Sequence, residues 1–163
     1  MAIISREKIV EGLVEILGKE RVITDEQVLK ESSLDRYRKY EQVFEVYTQP
    51  IPAAVVYVTS TEEVSKVLSF ANDNEINIVP RTGHSAIEGG LETALKDSVV
   101  VDGSMMNKVL KVDTYNMQVT CQCGVPLQDL DDMLREQGYT TGHSPQSKPL
   151  AQIGGLVATR SIG

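Results

Sequence analysis

The chain has 163 residues, 41% hydrophobic and 24% charged, a composition of folded globular domains rather than of disordered or membrane-embedded chains. That length holds one domain with a real core and no second complete one. Its 23 acidic and 16 basic residues leave a formal charge of -7, which argues against a broad surface for nucleic-acid phosphates, so any phosphate bound here would be held by backbone amides.

No run approaches the roughly 20 apolar residues of a bilayer span, and MAIISREKIV lacks the apolar stretch of a secretory signal, so a cytoplasmic location is expected. In SREKIVEGLVEILGK, residues 5–19, Ile9, Leu13, Ile16 and Leu17 recur at helical spacing behind Ser5, a candidate N-cap. Thr24 followed three residues later by Gln27 resembles a capping box leading into VLKESSLDRYRKYEQ. The first 45 residues or so therefore read as helical and peripheral. Pro50 and Pro52 end that character, because two prolines two apart favour extended backbone.

AVVYVTS, residues 54–60, reads as a buried strand, and Ser60 caps a helix carrying Val64, Val67, Leu68 and Ala71 that stops at Asn72–Glu75. INIVP, residues 76–80, is a second strand, and strand–helix–strand predicts a parallel pair with a right-handed crossover. SVVVD (98–102), KVLKVD (108–113) and MQVTCQC (117–123) are three more, separated by turn signals at Asp102-Gly103 and at residues 113–116. Read as one strand, 117–123 puts Cys121 and Cys123 on a shared face, where they are poorly placed to bond each other; they read as buried structural thiols. A helix opens near Pro126 and ends at Gly138, and residues 139–163 form a glycine-punctuated stretch without regular period, the composition of a binding loop.

Two glycine-rich stretches, 80–90 (PRTGHSAIEGG) and 142–163, lie about 60 residues apart, as neighbouring loops of one sheet can. Such loops can present several N–H groups to a pyrophosphate without a lysine. The Walker pattern and a GxGxxG turn between strand and helix are both absent, which excludes the two commonest nucleotide loops. Asp102, Ser104, Met106 and Asn107 form a turn after a strand, Val112-Asp113 reads the same way, and no catalytic role is assigned to these carboxylates.

PRTGHSAIEGG, VVDGSMMNKVLKVD, VTCQCGVPLQDL, and GYTTGHSPQS with IGGLVATRS follow one another in an order and spacing that resemble the FAD-binding domain of the vanillyl-alcohol oxidase/para-cresol methylhydroxylase superfamily. TGHSPQS followed by GGLVATRS is most similar to its alkyldihydroxyacetonephosphate synthase-like branch. The resemblance covers residues 50–163. It implies an α+β lobe with a small mixed or parallel sheet flanked by helices, residues 1–48 forming a helical leader and 49–163 the N-terminal part of the FAD-binding domain, with the family's C-terminal lobe and cap domain absent.

By family position, Pro80, Arg81, Thr82, Gly83, His84, Ser85 and Ala86 would wrap the FAD pyrophosphate. Gln146, Ser147, Lys148, Pro149, Leu150, Ala151 and Gln152 would form a second flavin-binding run, and Thr159, Arg160, Ser161 and Ile162 a third. His84 has two registers. Anchored on Pro80 and Gly89-Gly90, without a gap, it stands where the family has a glycine, and the flavin is noncovalent; anchored on GHS, it resembles the histidine that some members bond to the flavin. His143 matches a family histidine near the flavin.

The resemblance implies an FAD-linked oxidoreductase that passes hydride from a 2-hydroxy acid or similar alcohol to flavin N5, or, as in the synthase branch, a flavin-adduct chemistry without net redox. The alternative is a noncatalytic assembly module. Because the sequence stops inside the third run, a second polypeptide supplying the remainder, incomplete FAD burial, weak or absent FAD affinity and no turnover by this chain alone, and self-association of an uncovered apolar surface are expectations too. No metal site is expected.

Overall fold

The computed structural model describes residues 2–38, 44 and 48–162; the helical expectation for 39–43 and 45–47, and Gly163, lie outside the described residues. The chain divides into two compact units, Met1–Arg81 with Ala86–Asp102, and Thr82–Ser85 with Gly103–Gly163.

In the first unit, α1 spans Arg6–Leu17, and the Ser5 hydroxyl accepts the Lys8 N–H as its N-cap. Ile9, Leu13 and Leu17 are buried at one stripe of its helical period. The Phe70 ring sits where a side chain at Gly12 would be, so glycine there permits a close approach. A 3-10 turn at Lys19–Arg21 leads to β1, Val22–Ile23. Among its described residues this segment thus carries helix, and it also contributes a sheet strand that its periodicity did not reveal. Helix α2, Glu26–Glu31, is capped by Asp25, whose carboxylate accepts the Val28 N–H. The expected Thr24 box does not form: Asp25 is the stronger acceptor one residue on, and Gln27 donates to Glu31 instead.

Strand β2 is Ala54–Tyr57, α3 is Thr61–Asp73 with Ser60 as its N-cap, β3 is Ile78–Arg81 and β4 is Val99–Asp102. The sheet order is β1-β2-β4-β3, with β1 antiparallel to β2 and the other pairs parallel. β2 and β3 are therefore parallel but not partners, because β4 is inserted between them. Its VVV run explains why: every residue of β4 is buried, the pattern of a central parallel strand covered on both faces. Leu29, Val55, Val79 and Val100 form one core cluster, with Ile23, Ile51 and Tyr57 against it. Val67 and Ala71 are the buried residues of α3, whereas Leu68 is exposed.

Helix α3 ends in a Schellman turn: Glu75 takes φ +53°, its N–H donates to Asn72, and the Ile76 N–H donates back to Ala71. This is the stop predicted at residues 72–75, built without a glycine.

In the second unit, β5 (Val109–Asp113) and β6 (Gln118–Cys121) form an antiparallel hairpin, and the Asp113 carboxylate accepts the Asn116 N–H to close its turn. Helix α4, Leu127–Arg135, follows Pro126 and ends at Gly138, φ +81°, as predicted. Helix α5, Ile153–Ala158, lies in the stretch expected to be irregular. Val125, Leu130 and Leu134 form this unit's core cluster, covered by Val109, Val112, Val119, Cys121, Met133, Tyr139 and Ile153.

Cys121 ends β6, Cys123 lies in the following turn, neither is in a disulfide and both are half-buried, so the shared strand face and full burial expected of them are not found. The Cys123 thiol donates to the Gly103 carbonyl, and burial pushes the Cys121 thiol pKa up.

Candidate flavin-binding site

In the second unit the backbone is drawn tight around glycines. Gly124 lies among the carbonyls of Gly103, Ser104 and Met106 and donates its N–H to Met106. Gly154 packs on Cys123, whose carbonyl takes the Gly154 N–H at 2.7 Å. These contacts bring the start of α5 beside the turn after β6.

The four-residue segment Thr82–Ser85 belongs to the same unit. A Cβ built on Gly83 would collide with the Leu150 carbonyl and lie 2.9 Å from the Gln152 nitrogen, and one built on Gly155 would lie 3.3 Å from the Thr82 hydroxyl. The first predicted run and the second, more than 60 residues apart in sequence, are therefore in backbone contact, and the glycine makes that contact sterically allowed. The N–H groups of Thr82, Gly83 and Ser85 donate to no backbone carbonyl among the described residues. His84 adopts φ +51°, the left-handed region that favours glycine.

Within the second run, the Lys148 N–H donates to the Pro145 carbonyl, and the N–H groups of Leu150 and Ala151 both donate to Ser147. The Ala151 carbonyl receives the Leu127 N–H, and Pro126 pairs with Gln152 as an isolated bridge, which ties the end of the run to the start of α4. The Gln152 side-chain oxygen is buried with no donor in reach among the described residues.

The Lys148 ammonium does not project into solvent. It lies 2.6 Å from the carboxylate of Asp131 on α4, whose side chain is 1% exposed. The same carboxylate accepts from the hydroxyls of Thr140 (2.7 Å) and Thr141 (3.2 Å), from the Thr141 N–H (3.0 Å) and from Arg135 (2.7 Å). Lys148 first, then Thr140 and Arg135, hold the Asp131 carboxyl well below the usual carboxylate range. Sequence reading passed over Asp131 as one acid in DLDD. The available signal was helical phase: four residues after Leu127 and three before Leu134, it falls on the apolar face, where an acid needs partners.

The third run closes α5. Thr159 is its C-cap, Arg160 takes φ +51° and donates its N–H to Val157, and the Ser161 N–H donates to Leu156, a Schellman turn with arginine at the glycine position. Ile162 is exposed. Arg160 and Ser161 line a cleft of about 460 Å³ with Val119, Cys121, Leu130 and His143. The His143 Nε2 is buried and without a partner among the described residues.

In the first unit, Pro80 and Arg81 are the last residues of β3, and the Ala86 carbonyl accepts the Arg36 N–H. The Arg81 guanidinium is buried, donating to Asp102 on β4 at 2.7 Å and to the Ser32 hydroxyl at 2.9 Å. Its charge is committed inside the sheet.

Among the described residues, no cluster of three or more His, Cys, Asp or Glu side chains could hold a metal ion, and no helix is long and apolar enough to cross a membrane.

These groups suit FAD chemically. Amides without carbonyl partners at Thr82, Gly83 and Ser85 are donors for phosphate oxygens, and the unpaired acceptor of Gln152 suits a hydroxyl or ring N–H.

Residues 52–163 match the family profile described as FAD binding domain. The uncharacterized FAD-linked oxidoreductase YgcU of Escherichia coli (strain K12) is 64% identical over 98% of this chain and 33% of its own length. The mitochondrial D-lactate dehydrogenase (cytochrome) 1 of Saccharomyces cerevisiae is 35% identical over 96% of this chain and 26% of its own. The mitochondrial D-2-hydroxyglutarate dehydrogenase of Arabidopsis thaliana is 28% identical over 91% and 25%. Among solved structures, an alkyldihydroxyacetonephosphate synthase superposes with a TM-score of 0.85 at 28% identity, over 96% of this chain and 30% of that one. A p-cresol methylhydroxylase does so at 0.79 and 20% identity over 96% and 30%, a likeness of fold alone. The chain spans about a third or less of the length of these relatives. With its fold, its glycine-built loops and this match in view, the chain belongs to the FAD binding domain family, and FAD is its cofactor.

Proposed function

We propose that this chain forms the pyrophosphate and flavin cradle of an FAD-linked oxidoreductase acting on a 2-hydroxy acid or similar alcohol. The observation that carries the reading is Gly83 packed onto the Leu150–Gln152 peptide, which makes one cradle from two sequence-remote runs.

In this reading the amides of Thr82, Gly83 and Ser85 hold the pyrophosphate, with the Ser85 hydroxyl as a further donor. Backbone from Gln146 to Gln152 would hold the cofactor as well, with the Gln152 oxygen as an acceptor for it, and Thr159, Arg160, Ser161 and Ile162 would hold the flavin or its diphosphate. When bound, FAD supplies the hydride acceptor for alcohol oxidation; the chain's own residues bind it, orient it and exclude water. The Arg81 and Lys148 side chains, already paired with carboxylates, contribute by fixing backbone rather than by touching phosphate. His84 stands in the left-handed conformation natural to a glycine position, which favours the gap-free register and hence noncovalent flavin. Substrate class rests on the names of two relatives, a D-lactate and a D-2-hydroxyglutarate dehydrogenase.

Titration of the chain with FAD, followed by quenching of flavin fluorescence, tests the cradle. Saturable quenching is expected, and a folded chain that leaves FAD fluorescence unchanged overturns the reading. Acid precipitation should leave the yellow colour in the supernatant; colour retained by the polypeptide and lost in His84→Ala would establish the covalent register. Anaerobic bleaching of the flavin by D-2-hydroxy acids, and not by their L-enantiomers, in the chain joined to the remaining two thirds of the length of its relatives tests the substrate class.

A further inference from the structure

We propose that Asp131 is a positioning residue of the flavin cradle: with Lys148 it forms a latch that clamps the 146–152 run onto α4 and so sets the backbone presented to FAD. The proposal rests on the cradle assigned above and adds a residue that none of the three predicted runs contains.

One Asp131 oxygen takes both threonine hydroxyls and the Thr141 amide, where the chain leaves α4; the other takes the Lys148 ammonium, where it enters the second run. A single carboxylate thus ties down both ends of 140–148. Beyond Lys148, the Pro145–Lys148 and Ser147–Ala151 hydrogen bonds fold the run into a compact turn, and the Ala151 carbonyl is held by the first N–H of the same helix. The run is anchored to α4 at Lys148 and Ala151, and the peptides between and just after these anchors are those that Gly83 packs against. Any shift of Lys148 is therefore passed to the joint between the two runs.

Arg135 cannot replace the latch. It reaches Asp131 from one turn along the same helix, with a side chain 62% exposed, and holds no loop. The 14% exposed Lys148 side chain, by contrast, arrives from the run itself.

The test combines FAD titration with amide hydrogen exchange on the chain and its Lys148→Met, Lys148→Arg, Asp131→Asn and Asp131→Asn/Lys148→Met variants. A latch predicts that Lys148→Met and Asp131→Asn each weaken FAD binding about tenfold, that the double variant is no weaker than either single one, and that Lys148→Arg restores binding to within about threefold. It also predicts at least about tenfold faster exchange at the Leu150 and Ala151 amides in Lys148→Met, with β2 and β4 unchanged. Additive losses overturn the proposal, as does a loss in Lys148→Met that Asp131→Asn does not share, since that pattern means the ammonium touches FAD directly. Unchanged exchange at Leu150 and Ala151 overturns it as well. If the unaltered chain does not bind FAD, the cradle reading fails, while the exchange measurement still decides whether the latch orders the run.

Discussion

Replacing Gly83 by alanine probes the joint on which the site depends. Its φ lies outside the left-handed region, so the cost of Gly83→Ala is steric rather than conformational. The new methyl would overlap the Leu150 carbonyl and lie 2.9 Å from the Gln152 nitrogen. Both obstacles are backbone, unable to rotate aside, and ordinary contact requires the two segments to separate by roughly half an ångström or more. Overpacking of this kind costs about 1–3 kcal/mol, and immobile neighbours place the value toward the upper end. The same displacement moves the second run off the first, so FAD binding should weaken by at least about tenfold, equivalent to about 1.4 kcal/mol. Gly90→Ala is the control: nothing lies within 4 Å of its Cβ, and its effect should stay within about 0.5 kcal/mol. Urea unfolding and FAD titration of both variants provide the readouts. A Gly83→Ala chain that matches Gly90→Ala in stability and FAD affinity would refute the argument that backbone contact between the runs builds the site.

Arg81→Met should destabilise the chain by about 3–5 kcal/mol in denaturant unfolding, because it removes the buried guanidinium that pairs with the 5% exposed Asp102 carboxylate; a loss below about 1 kcal/mol contradicts that. Asp131 governs an acid limb: its folded pKa is depressed, so its contribution is fully present above the unfolded value of about 3.9 and is lost as pH falls below it toward the folded value. Asp131→Asn should therefore be less stable than the parent at neutral pH and converge with it in acid, as a pH series of thermal melts will show. Glu75→Gly should raise stability by about 0.5–1 kcal/mol by removing a side chain from φ +53°, whereas Gly138→Ala, at φ +81° with open space around it, should lower stability by about 1 kcal/mol for the converse reason. Both are read from urea midpoints.

Much of this was legible in the chain itself. Ser5, Ser60 and Gly138 marked helix ends because capping is local chemistry, satisfied within four residues. The turn signals at 113–116 separated the strands 108–113 and 117–123 for the same reason, although their pairing as a hairpin was decided by the fold. What escaped depended on distant partners. β1 is two residues long and exists as a strand through its pairing with β2. Helix α5, with two glycines in six residues, has little intrinsic propensity and is held by hydrogen bonds that its Ile153 and Gly154 N–H groups donate to the Val125 and Cys123 carbonyls.

The sequence by itself determined the strand and helix runs other than β1 and α5, the glycine-rich character of the two loops and the order of motifs that resembles FAD-binding proteins, since each is written in neighbouring residues. Tertiary structure alone decided that β4 separates β2 from β3, that Gly83 meets Leu150 and Gln152, and that two cations from the predicted runs, Arg81 and Lys148, are spent on Asp102 and Asp131. The physical reason is that a charge's role depends on which opposite charge shares its buried environment. That pairing is set by packing between residues 17 to 21 positions apart, beyond the reach of any local pattern.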